Sequence, residues 1–227
     1  MKNKFKENII SRALEKKPKI ILPELNDKRV LDAIAELKNI GFNVINPLDI
    51  NKDKYFSYAK NKKFTNNWTD QMILEYLDCP LNKSIFALDN GEADCVIAGA
   101  IYKTSDVIRS AIRIVGIKDS NKWVSSVFIM LSPDNENCFT FTDCGVIPDP
   151  SSEQLCDIGF SASQIHELLS DKKPKVAFLS FSTKGSAKHY KVKKVQDAAL
   201  LFGQRFPDID YDGEIQFDAA INSSVSN

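Results

Sequence analysis

The chain has 227 residues, and its 43% hydrophobic and 26% charged residues are typical of a globular protein with room for one large domain or two smaller ones. Thirty basic residues balance thirty acidic ones, so the net charge does not point to nucleic acid or an anionic membrane as a partner. No run of about eighteen apolar residues occurs, so no membrane-spanning segment is predicted. Any anionic ligand must therefore bind at a local site.

The cysteines and histidines give no reason to expect a metal site or a disulfide. The cysteines are odd in number and lack the CxxC spacing of zinc sites, so we predict reduced, mostly buried thiols in a cytoplasmic protein. His166 and His189 each lack a second ligand at useful spacing. The stretch from Met1 to Lys19 is lysine-rich and has no apolar centre, unlike a signal peptide. The cysteines are Cys79, Cys95, Cys138, Cys144 and Cys156.

The first half of the chain alternates apolar runs with helical patterns. Asp27 is a natural helix N-cap, and apolar residues then recur at helical spacing until Gly41. The region between Pro47 and Pro80 is polar and contains one predicted helix. The predicted elements are a strand at Lys19–Leu22, a helix between Asp27 and Gly41, a strand at Phe42–Ile45, a helix at Trp68–Leu77, a strand at Cys95–Ala98 and a helix at Ser105–Val115.

The second half opens with a predicted β-hairpin, formed by Val124–Leu131 and Cys138–Thr142. Two prolines in Gly145–Ser151 interrupt the pattern, so we predict a first domain at residues 1–145 and a second at residues 146–227. The alternation of strands and helices predicts an α/β fold with a mostly parallel sheet. The later elements are a helix at Ser152–Leu169, a strand at Val176–Phe181, a helix at Val192–Phe206, a short strand near Ile209–Tyr211 and a strand leading into a helix at Asp212–Ala220.

A lysine-rich segment lies within the polar region of the first half. Two interpretations are open: a solvated lysine-rich surface, which is the commoner case, or a binding patch for an anion. The lysines are Lys52, Lys54, Lys60, Lys62 and Lys63.

The strongest local signal is Ser180–Ala187 (SFSTKGSA), between a predicted strand and a predicted helix. A strand-to-helix turn of this composition suits a phosphate, because backbone N–H groups supply donors and Lys184 supplies a positive charge. The spacing is not that of a Walker A loop. An ordinary surface turn rich in serine and glycine is the alternative. The candidate phosphate-binding residues are Ser182, Thr183, Lys184, Gly185 and Ser186.

A second cluster is Gly99–Arg109 (GAIYKTSDVIR), at the carboxyl end of a predicted strand, where open α/β sheets place ligands. Thr104 or Ser105 is expected to cap the helix that carries Arg109. Arg109 lies more than a turn inside that helix, so it reaches a ligand only along the helix side, and a solvated arginine is the alternative. Asp143 follows a predicted strand and is either a functional carboxylate or a turn aspartate.

Five segments together resemble the successive motifs of phosphate acetyltransferases, in the family's order and at about its spacing. They are Leu22–Leu31 (LPELNDKRVL), Gly91–Arg109, Asp143 with Pro150–Gln154 (PSSEQ), Leu179–Lys188 and Asp212–Ala220.

The resemblance implies reversible acetyl transfer between coenzyme A and phosphate, with coenzyme A as a substrate and no permanently bound cofactor. It implies a two-domain fold like that of isocitrate and isopropylmalate dehydrogenases, with the site in the cleft between domains, and a homodimer. It assigns Arg109, together with Thr104 and Ser105, to coenzyme A. The implied small-molecule partners are coenzyme A, acetyl-CoA, acetyl phosphate and phosphate.

The sequence departs from the family pattern in two ways. Family members continue beyond the DGEIQFDAA motif into a segment with a Ser-Arg pair and an aspartate that serves as base for the thiol, so we expect this chain alone to be impaired, with Asp143 as a default candidate base. An arginine that the family places shortly before Thr65, for contact with coenzyme A, is absent, and only lysines lie nearby.

Three functional interpretations stay open. The first is an acetyltransferase whose chain is a fragment or a part of a split enzyme. The second is a non-catalytic module that binds acyl-CoA. The third is a phosphate butyryltransferase, which differs in the size of its acyl pocket. The TKGS run favours an enzyme, because a sensor has no need of a phosphate site.

Overall fold

The computed structural model describes residues 4–118, 122–133 and 137–222. The chain divides into two compact units. The first comprises Glu7–Ile117, and the second comprises the described residues from Lys118 onward with those before Glu7.

The first unit contains a three-stranded parallel sheet with strand order β2-β1-β3. Ile20 of the central strand pairs with Val44 on one side and with Cys95 on the other. The parallel arrangement confirms the α/β prediction. The strands are β1 (Lys19–Ile21), β2 (Asn43–Ile45) and β3 (Cys95–Val96), and the helices are α1 (Lys4–Lys16), α2 (Lys28–Ile40), α3 (Phe56–Lys60), α4 (Asp70–Asp78), α5 (Pro80–Asp89) and α6 (Thr104–Ile114), with 3-10 segments at Pro47–Asp49, Lys52–Tyr55 and Lys63–Thr65.

Helix α2 begins and ends where the sequence predicts. The Asp27 side chain accepts a hydrogen bond from the Arg29 N–H at 2.8 Å. Gly41 closes the helix with a φ of 109°, a left-handed conformation that glycine adopts without a steric penalty. These caps fix the ends of the helix that covers β1 and β2, against which Val30 is buried.

Helix α5 was not predicted, and it supplies much of the first unit's core. Pro80 stands at its first turn, where the missing N–H is not needed. Leu81, Ile85, Phe86 and Ala87 are all buried among residues of α3, α4 and α6. The helix could not be recognised in the sequence because Asn82 and Ser84 interrupt its apolar pattern, although both residues are buried.

The second unit contains two separate pairs of strands. β4 (Val127–Leu131) and β5 (Cys138–Thr142) form the predicted antiparallel hairpin, whose turn residues 134–136 lie outside the described part. β6 (Lys175–Leu179) and β7 (Asp210–Ile215) are parallel. The helices are α7 (Ser152–Ser170), α8 (Tyr190–Arg205) and α9 (Phe217–Ile221).

The helices α7 and α8 close over β6 around an aromatic core. Ser151 and Gln154 form a reciprocal capping box at the start of α7. Gly159 then lets α7 approach the core, because a Cβ there would lie 3.1 Å from the Phe178 ring and 3.4 Å from the Phe202 ring. The core around this contact is formed by Cys156, Phe178, Ala198, Ala199 and Phe202.

The boundary between the units lies between Ile117 and Lys118, earlier than the crossing that the sequence places at Gly145–Ser151. The hairpin explains the difference, because it packs on the second unit. Thr140 Oγ1 of β5 lies 3.0 Å from His166 Nδ1 of α7, and the rings of Phe141 and Phe217 are 5.8 Å apart.

The cysteines are free thiols, of which Cys156 is buried and the other four are partly buried. Within residues 4–118, 122–133 and 137–222, no three or more His, Cys, Asp or Glu side chains are grouped so as to hold a metal ion. No helix in the described part of the chain has both the length and the apolar character needed to cross a membrane.

Candidate functional site

The turn at residues 180–187 connects β6 to the segment before α8, at the carboxyl end of the parallel pair β6 and β7. Its first residue is tied to β7, because the Ser180 N–H donates to Ile215 O at 2.9 Å. Lys184 and Gly185 then adopt left-handed conformations, with φ values of 49° and 83°. For lysine this conformation is disfavoured, so contacts of the surrounding residues must hold it.

Those contacts come from the buried side chain of Glu214 in β7, which is 2% exposed. Its Oε1 accepts a hydrogen bond from Ser182 Oγ and another from the Gly185 N–H at 3.2 Å. Its Oε2 accepts from Nε2 of Gln196 in α8. The Lys184 N–H donates to the backbone oxygen of Glu214 at 3.1 Å. One carboxylate thus joins the turn, β7 and α8.

The hydroxyl groups of the turn also bond within it. Ser182 is fully buried, and its Oγ accepts from the Ala187 N–H at 3.0 Å. Ser186 Oγ accepts from the Thr183 N–H at 3.1 Å and lies 3.1 Å from Ser182 Oγ. Thr183 Oγ1 accepts from the Gln216 N–H at 3.0 Å.

The backbone N–H groups of all six residues from 182 to 187 therefore donate to protein acceptors. The sequence led us to expect these N–H groups to hold a phosphate. In the structure they shape the turn, and the group left for a ligand is the ammonium of Lys184, whose side chain is 60% exposed. The acceptors are the Oγ atoms of Ser180, Ser186 and Ser182, the backbone oxygens of Glu214 and Thr183, and Glu214 Oε1.

Lys184 is paired with Asp212, the first residue of the DGEIQ segment. The Lys184 hydrogen bond lowers the pKa of Asp212, against the opposing effect of partial burial, and the Gly213 N–H adds to the lowering. Burial acts to raise the pKa of Glu214, but hydrogen bonds from Ser182, Gln196 and the Gly185 N–H outweigh it, so the net shift is downward. Both carboxylates are therefore anionic at neutral pH.

A second loop, at residues 99–102 in the first unit, is built around another buried carboxylate. Glu24 follows β1 and is 3% exposed. Its Oε2 accepts from the N–H groups of Gly99 and Ala100 at 2.9 and 3.0 Å, and its Oε1 accepts from those of Ile101 and Tyr102 at 2.6 and 2.7 Å. Burial raises the pKa of Glu24, but these four donors lower it by more.

Arg29 reinforces this loop from outside. Its Nη2 donates to the Ala100 carbonyl oxygen at 2.9 Å and to Asp27 Oδ2 at 2.6 Å. The loop leads directly into α6, so Glu24 and Arg29 fix where that helix begins.

Comparison with known proteins gives a family match over most of the chain. The family model for phosphate acetyl/butaryl transferase matches residues 36–227. The chain belongs to the phosphate acetyl/butaryl transferase family. It is 35% identical to the phosphate acetyltransferase of Thermoanaerobacterium thermosaccharolyticum, over 97% of this chain and 76% of that protein.

Two solved structures of phosphotransacetylases are similar to this member of the family. The protein from Streptococcus pyogenes shares 29% identity with a TM-score of 0.82, and the match covers 96% of this chain and 76% of that one. The EutD phosphotransacetylase from Staphylococcus aureus shares 30% identity with a TM-score of 0.80, and covers 96% of this chain and 75% of that one.

The residues that the family resemblance assigns to coenzyme A lie on the first two turns of α6. Arg109 is 56% exposed on its side chain and pairs with Asp106 at 2.9 Å. The expected cap was wrong: Lys103 is the N-cap, without a side-chain hydrogen bond, and Thr104 and Ser105 lie within the first turn. Both residues are exposed, as Arg109 is, and all three lie within the first two turns of α6.

Asp143, the default candidate base, follows β5 in a left-handed conformation with a φ of 59°. Its residue surface is exposed, but nearby protein atoms desolvate the carboxyl group and raise its pKa. Lys194 opposes this shift, and Asp149 adds to it. Asp143 therefore stays the default candidate base that the sequence offers, and its raised pKa is in the direction that suits a base.

Four lysines of the lysine-rich segment form ion pairs within the first unit, which favours the surface interpretation over an anion-binding patch. Lys62 is the most enclosed: its Nζ lies 2.7 Å from Asp89 Oδ2 and 2.6 Å from the Ile114 oxygen. The other three pairs are Lys52 with Asp78, Lys54 with Glu92, and Lys60 with Asp70.

The sequence interpretation did not single out Glu24 and Glu214, the two buried carboxylates that hold these loops. Each lies far along the chain from the loop that it holds: 75 residues separate Glu24 from Gly99, and 32 separate Glu214 from Ser182. The available signal for Glu24 was an acidic residue directly after the apolar strand β1, since a buried carboxylate must be matched by donors. Glu214 gave no such signal, because its strand also carries Asp210 and Asp212.

Proposed function

We propose that the protein is a phosphate acetyltransferase, which transfers an acetyl group reversibly between coenzyme A and phosphate. The observation that carries this proposal is the family match over residues 36–227, which includes the turn at 180–187, α6 and the DGEIQ segment together.

In the direction of acetyl-CoA, the thiolate sulfur of coenzyme A attacks the carbonyl carbon of acetyl phosphate. The carbon–oxygen bond to the phosphoryl group breaks, phosphate leaves with the electron pair, and the thiol proton passes to a base. Catalysis requires a cation at the departing phosphate, because negative charge grows there in the transition state. We assign this role to Lys184, which can exchange Asp212 for the phosphate, on the turn formed by Ser182, Thr183, Gly185 and Ser186.

The binding of coenzyme A is assigned to the start of α6. Arg109 is exposed and its ion pair with Asp106 is a surface pair, so a ligand phosphate can compete for the guanidinium at little cost. Thr104 and Ser105 offer hydroxyl groups one turn earlier on the same helix. This cluster supports binding of an anionic part of coenzyme A.

We extend the proposal to the fold and the assembly. The two units are proposed to be the two domains of an isocitrate and isopropylmalate dehydrogenase-like fold, in a cytoplasmic protein with no permanently bound cofactor. A homodimer is proposed as well. The outer face of the β4–β5 hairpin supports it, because Phe128, Met130 and Phe139 are exposed there as cross-strand neighbours. Sedimentation of the wild type and of Phe128→Ser tests the proposed homodimer, which this substitution is expected to weaken.

The test of the proposed function is formation of acetyl-CoA from acetyl phosphate and coenzyme A, followed by the absorbance of the thioester. We expect formation above the rate without protein, dependent on both substrates and reversed by added phosphate. Binding of coenzyme A without any acetyl transfer would contradict the proposal and would favour the acyl-CoA-binding module. A preference for butyryl over acetyl phosphate would favour the butyryltransferase.

A further inference from the structure

The turn at residues 180–187 contains an anion of its own. Oxygens of Glu214 lie on the inner side of the turn, where they accept from Ser182 Oγ and from the Gly185 N–H. A phosphate would otherwise be the natural ligand of such inward donors. The position is therefore filled by the protein, and the cation of the turn, Lys184, has a 60% exposed side chain.

We propose that Glu214 is a positioning residue: its buried carboxylate holds the turn in the conformation in which Lys184 faces the phosphoryl group. The proposal rests on the proposed function, since it names the residue that shapes the phosphate end of that site. It also places the ligand at the exposed side chain of Lys184 and not at the N–H groups of the turn, which protein acceptors occupy.

The geometry supports a role in orientation rather than in general packing. Lys184 is held in a left-handed conformation that its side chain disfavours, and Glu214 contacts the residues on both sides of it through Ser182 and Gly185. The backbone oxygen of Glu214 binds the Lys184 N–H as well. Without the carboxylate, Gly185 and Ser182 lose their acceptor, so the direction of the lysine side chain is no longer fixed.

The test compares the Michaelis constants of both substrates in two variants. Glu214→Ala is expected to raise the KM for acetyl phosphate by about tenfold, which corresponds to ~1.4 kcal/mol, and to leave the KM for coenzyme A within about twofold. Glu214→Gln is expected to restore most of the loss, because its amide oxygen can still accept from Ser182 and Gly185 if the Gln196 amide rotates. Asp197→Ala is the matched control, since it removes a carboxylate from an exposed ion pair on α8.

A loss of folded protein lowers the maximum rate but leaves both KM values unchanged, so the split between substrates separates positioning from stability. An unchanged KM for acetyl phosphate in a folded Glu214→Ala protein would overturn the proposal. An equal rise in both KM values would also overturn it. If Glu214→Ala does not fold, Glu214→Asp takes its place, because the shorter side chain withdraws the carboxylate from Ser182 and Gly185. A rise in the KM for acetyl phosphate alone in Glu214→Asp supports the proposal, and an unchanged KM overturns it.

Titration with inorganic phosphate separates this proposal from the proposed function. The amide signals of residues 183–186 are followed in isotopically labelled protein. If the wild type transfers no acetyl group, a phosphate dissociation constant about tenfold weaker in Glu214→Ala still upholds the positioning role. Equal constants, or no response of these amides in the wild type, would overturn it.

Discussion

The loop at residues 99–102 and the turn at residues 180–187 both close around a buried glutamate, but different kinds of donors hold the two carboxylates. Glu24 receives four backbone N–H groups, two on each oxygen. Glu214 receives one backbone N–H and two side-chain donors, from Ser182 and Gln196. A side-chain amide can rotate to present its oxygen, whereas a backbone N–H cannot. The first loop therefore requires a carboxylate, and the second can tolerate an amide.

The largest expected effect follows from this difference. Glu24→Gln places an NH₂ group against two fixed backbone N–H groups, so we expect it to destabilise the protein by about 2–4 kcal/mol. Glu214→Gln is expected to cost clearly less, because Gln196 can adapt. Urea denaturation of both variants measures the comparison. Equal losses would mean that the kind of donor does not matter.

The next effect concerns the phosphate end of the proposed site. Lys184→Ala removes the exposed cation of the turn and is expected to raise the KM for phosphate, since one charge-assisted contact is worth roughly 1.5–3 kcal/mol. Lys193→Ala is the control, because it removes a lysine from another exposed ion pair of the same unit. An unchanged KM for phosphate in folded Lys184→Ala would remove Lys184 from the site.

A smaller effect is expected at the start of α6. Arg109→Ala should weaken coenzyme A more than dephospho-coenzyme A, by about tenfold, if the guanidinium contacts the 3′-phosphate. Arg113→Ala, on the same helix, should affect neither ligand. Equal losses for the two ligands in Arg109→Ala would mean that the arginine contacts another part of the molecule or has a structural role.

The smallest effect is on the acid side of the stability profile. The pKa of Glu214 is lowered below its ordinary value of 4.5, so the folded state binds its proton less readily than the unfolded state. The stabilisation that the Glu214 carboxylate contributes is present above its ordinary pKa. It is lost as the pH falls through the lower pKa of the folded state. The difference in unfolding free energy between the wild type and Glu214→Gln should therefore shrink at acid pH. A constant difference would show that the charge of Glu214 contributes nothing.

The sequence predicted the elements whose signals are local. Asp27 and Gly41 mark the ends of α2 by their own chemistry, and the hairpin strands appear as two apolar runs separated by a short turn. Helix α5 escaped because its buried Asn82 and Ser84 look like surface residues, although Ser84 donates to the Pro80 oxygen and Asn82 to the Tyr76 oxygen. Burial of a polar side chain depends on partners that a local pattern does not contain.

The candidate site also combines features that contiguous residues predict with features that depend on long-range contacts. The turn with Lys184 and the helix with Arg109 were identified from contiguous residues. The sequence did not show that the N–H groups of the turn donate to protein acceptors. That arrangement depends on Glu214, which reaches the turn only after β6 and β7 pair. Glu24 reaches its loop only through the pairing of β1 with β3. Long-range contacts of this kind follow from the topology of the sheets.

The most direct test is a matched pair of variants, Glu24→Ala and Glu214→Ala, each assayed for the KM of acetyl phosphate and of coenzyme A. Glu24 fixes the loop that leads to Arg109, and Glu214 fixes the turn that carries Lys184. We therefore expect Glu24→Ala to raise the KM for coenzyme A alone, and Glu214→Ala to raise the KM for acetyl phosphate alone. If both variants change the same constant, or change both constants equally, the two loops do not serve different substrates.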